Sequence, residues 1–482
     1  MNYLSSKLSR RHFLDFNLSG LGGVALADLL QTNSVKGETT TRDPRLATPS
    51  QAMAPKAKRV IHICLIGGLS HVDSFDYKPA LNQLHEKPLP KFVQPDTFFG
   101  SAGLLRKHEW TFRQRGQSGL WISDLFPHLA TCADDLTIIN SMYSDSGNHT
   151  PAMFLQNSGF QSNGFPSLGS WLSYGLGNET DDLPTFVVLP DSRSLPNSGA
   201  ANWSSGFLPA RHQGAVFRNG KQPIRNLFAN TTISQPAEID ARSLLKRINE
   251  KQLTSRNDDI LQARIRAYEL AARMQTSVPE VVTFAAETRS TIASYGMEDS
   301  ATADCGRRCL LARRLLERGV RFVQIYSGGA FGGSPRHGWD GHENNYVNHA
   351  REAMRIDQPV AALLKDLKQR GLLSDTLILF TSEFGRTPFA HAPRGVMALG
   401  RDHNPRGFTS WLAGAGLRTG ISYGATDEVG WKSVDKPVSW PDFHATVLQL
   451  MGLDHERLTY YHNGIERRLT NVHGSVISEL FT

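Results

Sequence analysis

Four short stretches concentrate side chains that can do polar chemistry. Gly67-Gly68-Leu69-Ser70-His71-Val72-Asp73-Ser74-Phe75-Asp76 places an imidazole and two carboxylates beside a Gly-rich turn. His71, Asp73 and Asp76 can converge on one ion or substrate, and a polar turn can equally use such residues to satisfy its own backbone donors. His337-Gly338-Trp339-Asp340-Gly341-His342-Glu343-Asn344-Asn345 sets Asp340 and His342 two positions apart, between glycines that let the backbone curl around an ion. Such ligands suit a divalent metal of intermediate softness. Ser382-Glu383-Phe384-Gly385-Arg386-Thr387-Pro388 supplies a carboxylate and a guanidinium. Arg386 has the planar fork that holds a phosphate or sulfate bidentately, or else it pairs with Glu383 to support a loop. Gly400-Arg401-Asp402-His403-Asn404-Pro405 offers His403 as a last metal ligand.

The first three of these stretches follow short apolar runs. Val60–Ile66 leads into the first, Arg321–Tyr326 precedes the second, and Thr376–Thr381 runs directly into the third. Leu136–Ser141 and Thr185–Leu189 have the same character, and all five read as buried strands. Helical patterns lie between them. Ala350–Gln369 carries Ala353, Ile356, Val360 and Leu364 at helix spacing and is closed by Gly371, while His444–Met451 reads as a short helix. Alternating strands and helices predict an α/β fold with a mostly parallel sheet covered on both faces, whose ligands sit beyond the carboxyl ends of the strands. Residues 239–295 are charged, helix-prone and free of strand signals apart from a break at Pro279, so a helical insertion is expected there. Cys305 and Cys309 fall on one face of a helix, where a structural role is expected.

Composition narrows the class. The 482 residues are 40% hydrophobic and 20% charged, which is globular and not disordered. The net charge of +7 is small for the length and spread along the chain, so no nucleic-acid partner is expected. Four cysteines are too few for a disulfide framework, and the lack of an 18-residue apolar run excludes a spanning helix. Residues 1–30 read as a twin-arginine export signal: Ser9-Arg10-Arg11-His12-Phe13-Leu14 precedes a mild apolar stretch with Ala25-Leu26-Ala27 at cleavage spacing. A polar linker, 31–58, follows. The twin-arginine export machinery is thus an expected partner, and the expected location is periplasmic or extracellular. Removal of residues 1–27 takes away Lys7, Arg10, Arg11 and Asp15, leaving +5.

In chain order GG-x-SH-x-D-x-FD, GWD-x-HENN, SEFGRTP and GRDHNP resemble a bacterial family of exported sulfatase-like proteins within the alkaline-phosphatase-like superfamily. Tyr423–Glu428 (YGATDE) and Leu469–Gly474 (LTNVHG) extend the resemblance, which runs from about Arg59 to the end. It implies a single alkaline-phosphatase-like three-layer α/β/α sandwich over 59–482 and a metal-dependent hydrolase of phosphate or sulfate esters. A divalent metal (zinc, manganese or calcium) and an anionic ester substrate, sulfated or phosphorylated glycans included, are the implied ligands. By position, Asp340 and His342 resemble the superfamily's Asp and His pair, and His403 resembles its final histidine. Glu383 and Phe384 replace the Asp and His of its Asp-His-Gly motif, leaving Glu383 a further metal candidate. Gly67 stands where the first-strand Asp belongs, with Asp73 or Asp76 as substitutes. The nucleophile position falls in Ser146-Gly147-Asn148-His149-Thr150-Pro151-Ala152-Met153. There Thr150 is either a nucleophile activated by metal or by His149, or a helix cap ahead of Pro151. Arg386 would hold the anion, and His71 or His149 would protonate the leaving oxygen. No cysteine lies in a Cys-x-Pro-Ser-Arg pattern, which points away from formylglycine chemistry. The incomplete motif set supports a rival expectation, a non-catalytic envelope protein that keeps the fold and uses its cleft for binding.

Overall fold

The computed structural model describes residues 54–89, 95, 97, 100, 102–219, 223–224, 234–256, 259–329 and 338–482. The export signal, most of the linker and His337 lie outside these residues.

Arg59–Leu65 (β1) is the axis of the molecule. Its alternation feeds both faces: Ile61, Ile63 and Leu65 enter one core, Val60 and Cys64 the opposite one. A strand apolar on both faces is stable only between two layers, and β1 is sandwiched accordingly. The other strands of its sheet are Leu136–Met142 (β2), Phe186–Leu189 (β3), Ala215–Val216 (β4), Phe322–Ser327 (β5), Thr376–Ser382 (β6), Phe408–Gly414 (β7) and Ile421–Tyr423 (β8). Their order is β8-β2-β7-β6-β1-β5-β3-β4. Every neighbouring pair is parallel except those of β7, which runs antiparallel to both β2 and β6. The five strands expected from sequence are all in this sheet. β7 (FTSWLAG) was not expected, because its Thr, Ser and Gly dilute the apolar signal, although six of its seven residues are buried.

One face of the sheet is covered by Ala303–Glu317 (α1) and Asn345–Gln369 (α2), the other by His149–Ser158 (α3), Leu168–Leu176 (α4) and Trp440–Leu450 (α5). Each Leu, Ile or Val fully buried in these layers contributes about 1.5–3 kcal/mol relative to exposure. The α2 helix starts at Asn345, earlier than expected, because the Asn344 side chain caps it by accepting from Val347 N. A capping box between Ser439 and Asp442 starts α5 ahead of the expected His444. Cys305 and Cys309 do share a face of α1, with their sulfurs 3.8 Å apart.

Over the stretch expected to be helical, the chain forms the helices Gln235–Arg256, Asp259–Val282 and Arg289–Ser294. Pro279 does not break its helix, contrary to expectation. It forfeits one N–H bond to the preceding turn, but the helix ends within a turn of it, and Arg314 donates to the carbonyls of Glu280 and Val281 that close the helix. Among the described residues, no helix is long and apolar enough to cross a membrane.

Candidate metal centre

The carboxyl ends of β1, β5, β6 and β2 lie along one edge of the sheet, as parallel register requires. Because β7 runs the other way, its start at Phe408 reaches the same edge. A hairpin of Gly385–Ala390 and Arg401–Asn404 sits there, pairing His403 with Arg386. The residues after each of these strand ends therefore meet.

Gly67 is what lets them close. Its φ is +120°, and a Cβ on it would stand 2.5 Å from Asp340 N and 2.7 Å from Trp339 N. The absence of an aspartate at this position has a steric reason: the loop after β5 packs directly on the loop after β1. Gly400 plays the same part on the other side, where a Cβ would overlap the carbonyl of His342.

Four side chains converge in this closure. The Nε2 atoms of His342, His403 and His149 lie 3.0, 3.5 and 3.6 Å from Asp340 Oδ1. His342 Nε2 and His403 Nε2 are 2.8 Å apart. One ligand-capable atom from each of the four falls within 4.8 Å of every other. Asp340, His149 and His403 are 1%, 8% and 2% exposed, and the His342 side chain is 7% exposed.

The surrounding groups orient these ligands. Glu383 Oε1 lies 2.8 Å from His149 Nδ1 and also accepts from Gly67 N. A carboxylate there holds the proton on Nδ1 and leaves Nε2 as the donor atom. The carbonyl of Gly147, 2.6 Å from His403 Nδ1, does the same for His403. Phe384 lies against both rings, its centroid 4.9 Å from His149 and 4.5 Å from His403. Burial alone would raise the Asp340 carboxyl, but the Arg386 charge and the three histidines hold it far below the usual carboxylate range. Burial pushes His342 and His403 down, keeping them neutral and fit to ligate. Burial also pushes His149 down, but the bonds to Asp340 and Glu383 outweigh it and raise that imidazole.

Of the residues expected at the site, Asp340, His342, His403 and His149 come together. Glu383 stands one step behind, on His149. Arg386 is fully buried and turned inward: Nε donates to Gly68 O, Nη1 to Arg401 O, and Nη2 to Gly67 O and Asp340 Oδ1. Its fork is spent on the protein rather than turned to a ligand. Asp73 is also outside the cluster, held by Ser70, Asn345, Glu109 N and the Arg401 guanidinium. Asp76 pairs with Lys78 and Thr426. His71 is buried with Nε2 2.8 Å from Gly430 O, away from the four. The cap of α3 is Asn148, not Thr150, and Pro151 is third in the helix, still within the turn that needs no N–H. Thr150 lies half-buried, next to His149.

Two further residues join a second group that sequence reasoning passed over. His342, His391 and Asp402 also bring one ligand-capable atom each within 4.8 Å. Asp402 adjoins His403 and had a signal in that adjacency. His391, in Ala390-His391-Ala392-Pro393, had none.

The family pattern described as "Protein of unknown function (DUF1501)" matches residues 57–481. No relative was found among curated proteins. Among solved structures the chain is similar to a sulfatase from Pseudoalteromonas sp., with 13% identity, TM-score 0.34, and 95% of this chain and 78% of that one covered. It is similar to the alkaline phosphatase of the Antarctic bacterium TAB5, with 13% identity, TM-score 0.36, and coverages of 83% and 100%. It is likewise similar to a phosphonate monoester hydrolase from Silicibacter pomeroyi, with 12% identity, TM-score 0.32, and coverages of 68% and 69%. Likenesses this distant carry neither activity nor residue roles to this chain.

Proposed function

We propose that this chain, which belongs to the DUF1501 family, is an exported metal-dependent hydrolase of phosphate or sulfate esters. The observation that carries the reading is the convergence of three imidazole Nε2 atoms and the Asp340 carboxylate at one strand edge. Three nitrogens and one carboxylate oxygen fit zinc or manganese, and fit poorly to calcium, which takes oxygen ligands. A divalent ion there would supply a Lewis acid for an ester oxygen and would acidify a nucleophilic hydroxyl or water.

The chain's own groups have defined tasks in this scheme. Asp340 carries the negative charge of the ligand set, and Arg386 fixes its orientation. Glu383 and the Gly147 carbonyl keep the protons of His149 and His403 on Nδ1, so that both Nε2 lone pairs face inward. Thr150, relieved of capping by Asn148, is the nucleophile candidate on the first turn of α3, where the helix dipole favours an anion.

The test is metal content and turnover of the purified chain against aryl phosphates, phosphodiesters and sulfates, with Asp340→Ala alongside. Metal and hydrolysis both lost in the variant support the reading. Hydrolysis unchanged by the substitution, or a wild type that takes up no divalent metal, refutes it. The inward-turned Arg386 favours one rival, a binding protein without turnover; metal retained with no hydrolysis of any ester class would select it. Export by the twin-arginine route is part of the same proposal and rests on Arg10-Arg11. Replacing both by lysine should leave the protein in the cytoplasm, and unchanged export would remove that element.

A further inference from the structure

The four-residue cluster uses only one nitrogen of His342. Its other ring nitrogen faces a different set of groups. His342 Nδ1 lies 2.8 Å from His391 Nδ1 and 3.9 Å from Asp402 Oδ1. Asp402 is fully buried, and its Oδ2 has no hydrogen-bond partner among the described residues. A buried carboxylate oxygen left this way costs free energy unless a cation faces it. The backbone holds the group in place. Asp402 N donates to Thr387 Oγ1, Asp402 Oδ1 accepts from His403 N, and Gly400 lets this hairpin strand approach the carbonyl of His342. His391 stands at the end of the partner strand and is half-buried, so the group opens toward solvent on that side.

We propose that His342 is shared by two cation sites, with its Nδ1, His391 Nδ1 and the Asp402 carboxylate holding a second divalent transition-metal ion. Two imidazole nitrogens and a carboxylate are a ligand set for zinc or copper, with room for water at the solvent side. The inference rests on the first site as read above, since His342 Nε2 belongs to it. The bridge balances in protons. With Nε2 on one ion, neutral His342 carries its proton on Nδ1, where it points to His391. The second ion takes that place, the proton leaves to solvent, and His342 becomes an imidazolate between two cations. The charge of the imidazolate and of Asp402 offsets that of the added ion.

The test uses the full chain, stripped with chelator, reloaded with zinc and desalted, and reads metal per chain by mass spectrometry. Two ions are expected for the wild type, and one for His391→Ala and for Asp402→Asn. His391 is half-buried and its truncation is the variant least able to disturb folding, so it decides the matter if Asp402→Asn misfolds. Copper loading gives an independent readout. Two copper(II) ions across one imidazolate couple magnetically, so the wild-type paramagnetic resonance signal should fall below that of isolated ions, and His391→Ala should restore a single uncoupled copper. One ion in the wild type, or two in His391→Ala, overturns this inference and leaves the first site standing. No ion in the wild type overturns both.

Discussion

Replacing Arg386 by methionine separates a scaffold role from an anion-holding role. Methionine keeps much of the volume of the stem and removes the charge and all donors. The substitution strips Asp340 Oδ1 of its cationic neighbour and leaves the carbonyls of Gly67, Gly68 and Arg401 without that donor. Breaking a buried ion pair from one side costs about 3–5 kcal/mol, because the remaining charge stays buried. For a folded region of roughly 400 residues, unfolding entropy near 2.1 cal/mol/K per residue turns that into a fall in Tm of about 4–6 °C. The loss should be largest in chelator-treated protein. Saturating zinc should recover part of it, since an ion in the cluster gives Asp340 a cationic partner again. Thermal unfolding followed by circular dichroism, with chelator and with zinc, reads both quantities. A variant as stable as the wild type in both conditions, with only its affinity for substrate or for inorganic phosphate weakened, would refute the reasoning and return Arg386 to the role of anion clamp.

Glu383→Gln removes the carboxylate behind His149 while keeping an acceptor for Gly67 N, so it should fold and lose about 10–100-fold in zinc affinity, measured by competition with a chromophoric chelator. Gly67→Ala forces a Cβ against Asp340 N at a positive φ, and should lower stability by at least about 1–3 kcal/mol and abolish metal retention together; wild-type Tm and metal content would contradict the closure argument. Chelation of the loaded wild type should lower apparent stability by about 2.7 kcal/mol for each bound ion, relative to protein at a hundredfold excess of zinc over that site's Kd. Acid should destabilise the fold through histidines outside the ligand set. Burial pushes His62 and His349 down to about 3 and His444 to about 4, so below their unfolded value of 6.5 the unfolded chain takes up protons the folded chain refuses. Stability is then present above pH 6.5 and is lost as pH falls, by about 1.4 kcal/mol per histidine at pH 5.5. A flat denaturation midpoint between pH 7 and 5.5 would contradict it.

Much of the frame is legible in the residues. Five buried strands and the long helix before Gly371 follow from periodicity and from breakers, because burial of a repeating apolar face is a local property of the chain; the helices within 235–294 follow from a charged, helix-prone composition without strand signals. Asp340 and His342 were also legible as candidates, since Asp and His beside a glycine after an apolar run have few structural uses, and His403 was legible from the polar cluster it sits in between Gly400 and Pro405. β7 was not, because antiparallel insertion between β2 and β6 buries Thr409 and Ser410 by pairing, not by hydrophobicity.

What the sequence determined by itself is the layered sheet and the kind of chemistry at its edge: imidazoles and carboxylates delivered to strand ends. Which of them meet was decided only by tertiary structure. Asp73 has the same chemical credentials as Asp340, and Arg386 has those of an anion clamp, yet the first is taken up by Arg401 and Ser70 and the second by three carbonyls and Asp340 itself. His149 and His391 come from distant segments and acquire meaning only through loop closure at Gly67 and Gly400. A ligand set is a matter of where a few atoms stand within some 4.8 Å. That is fixed by packing between segments tens to hundreds of residues apart, which no local pattern encodes.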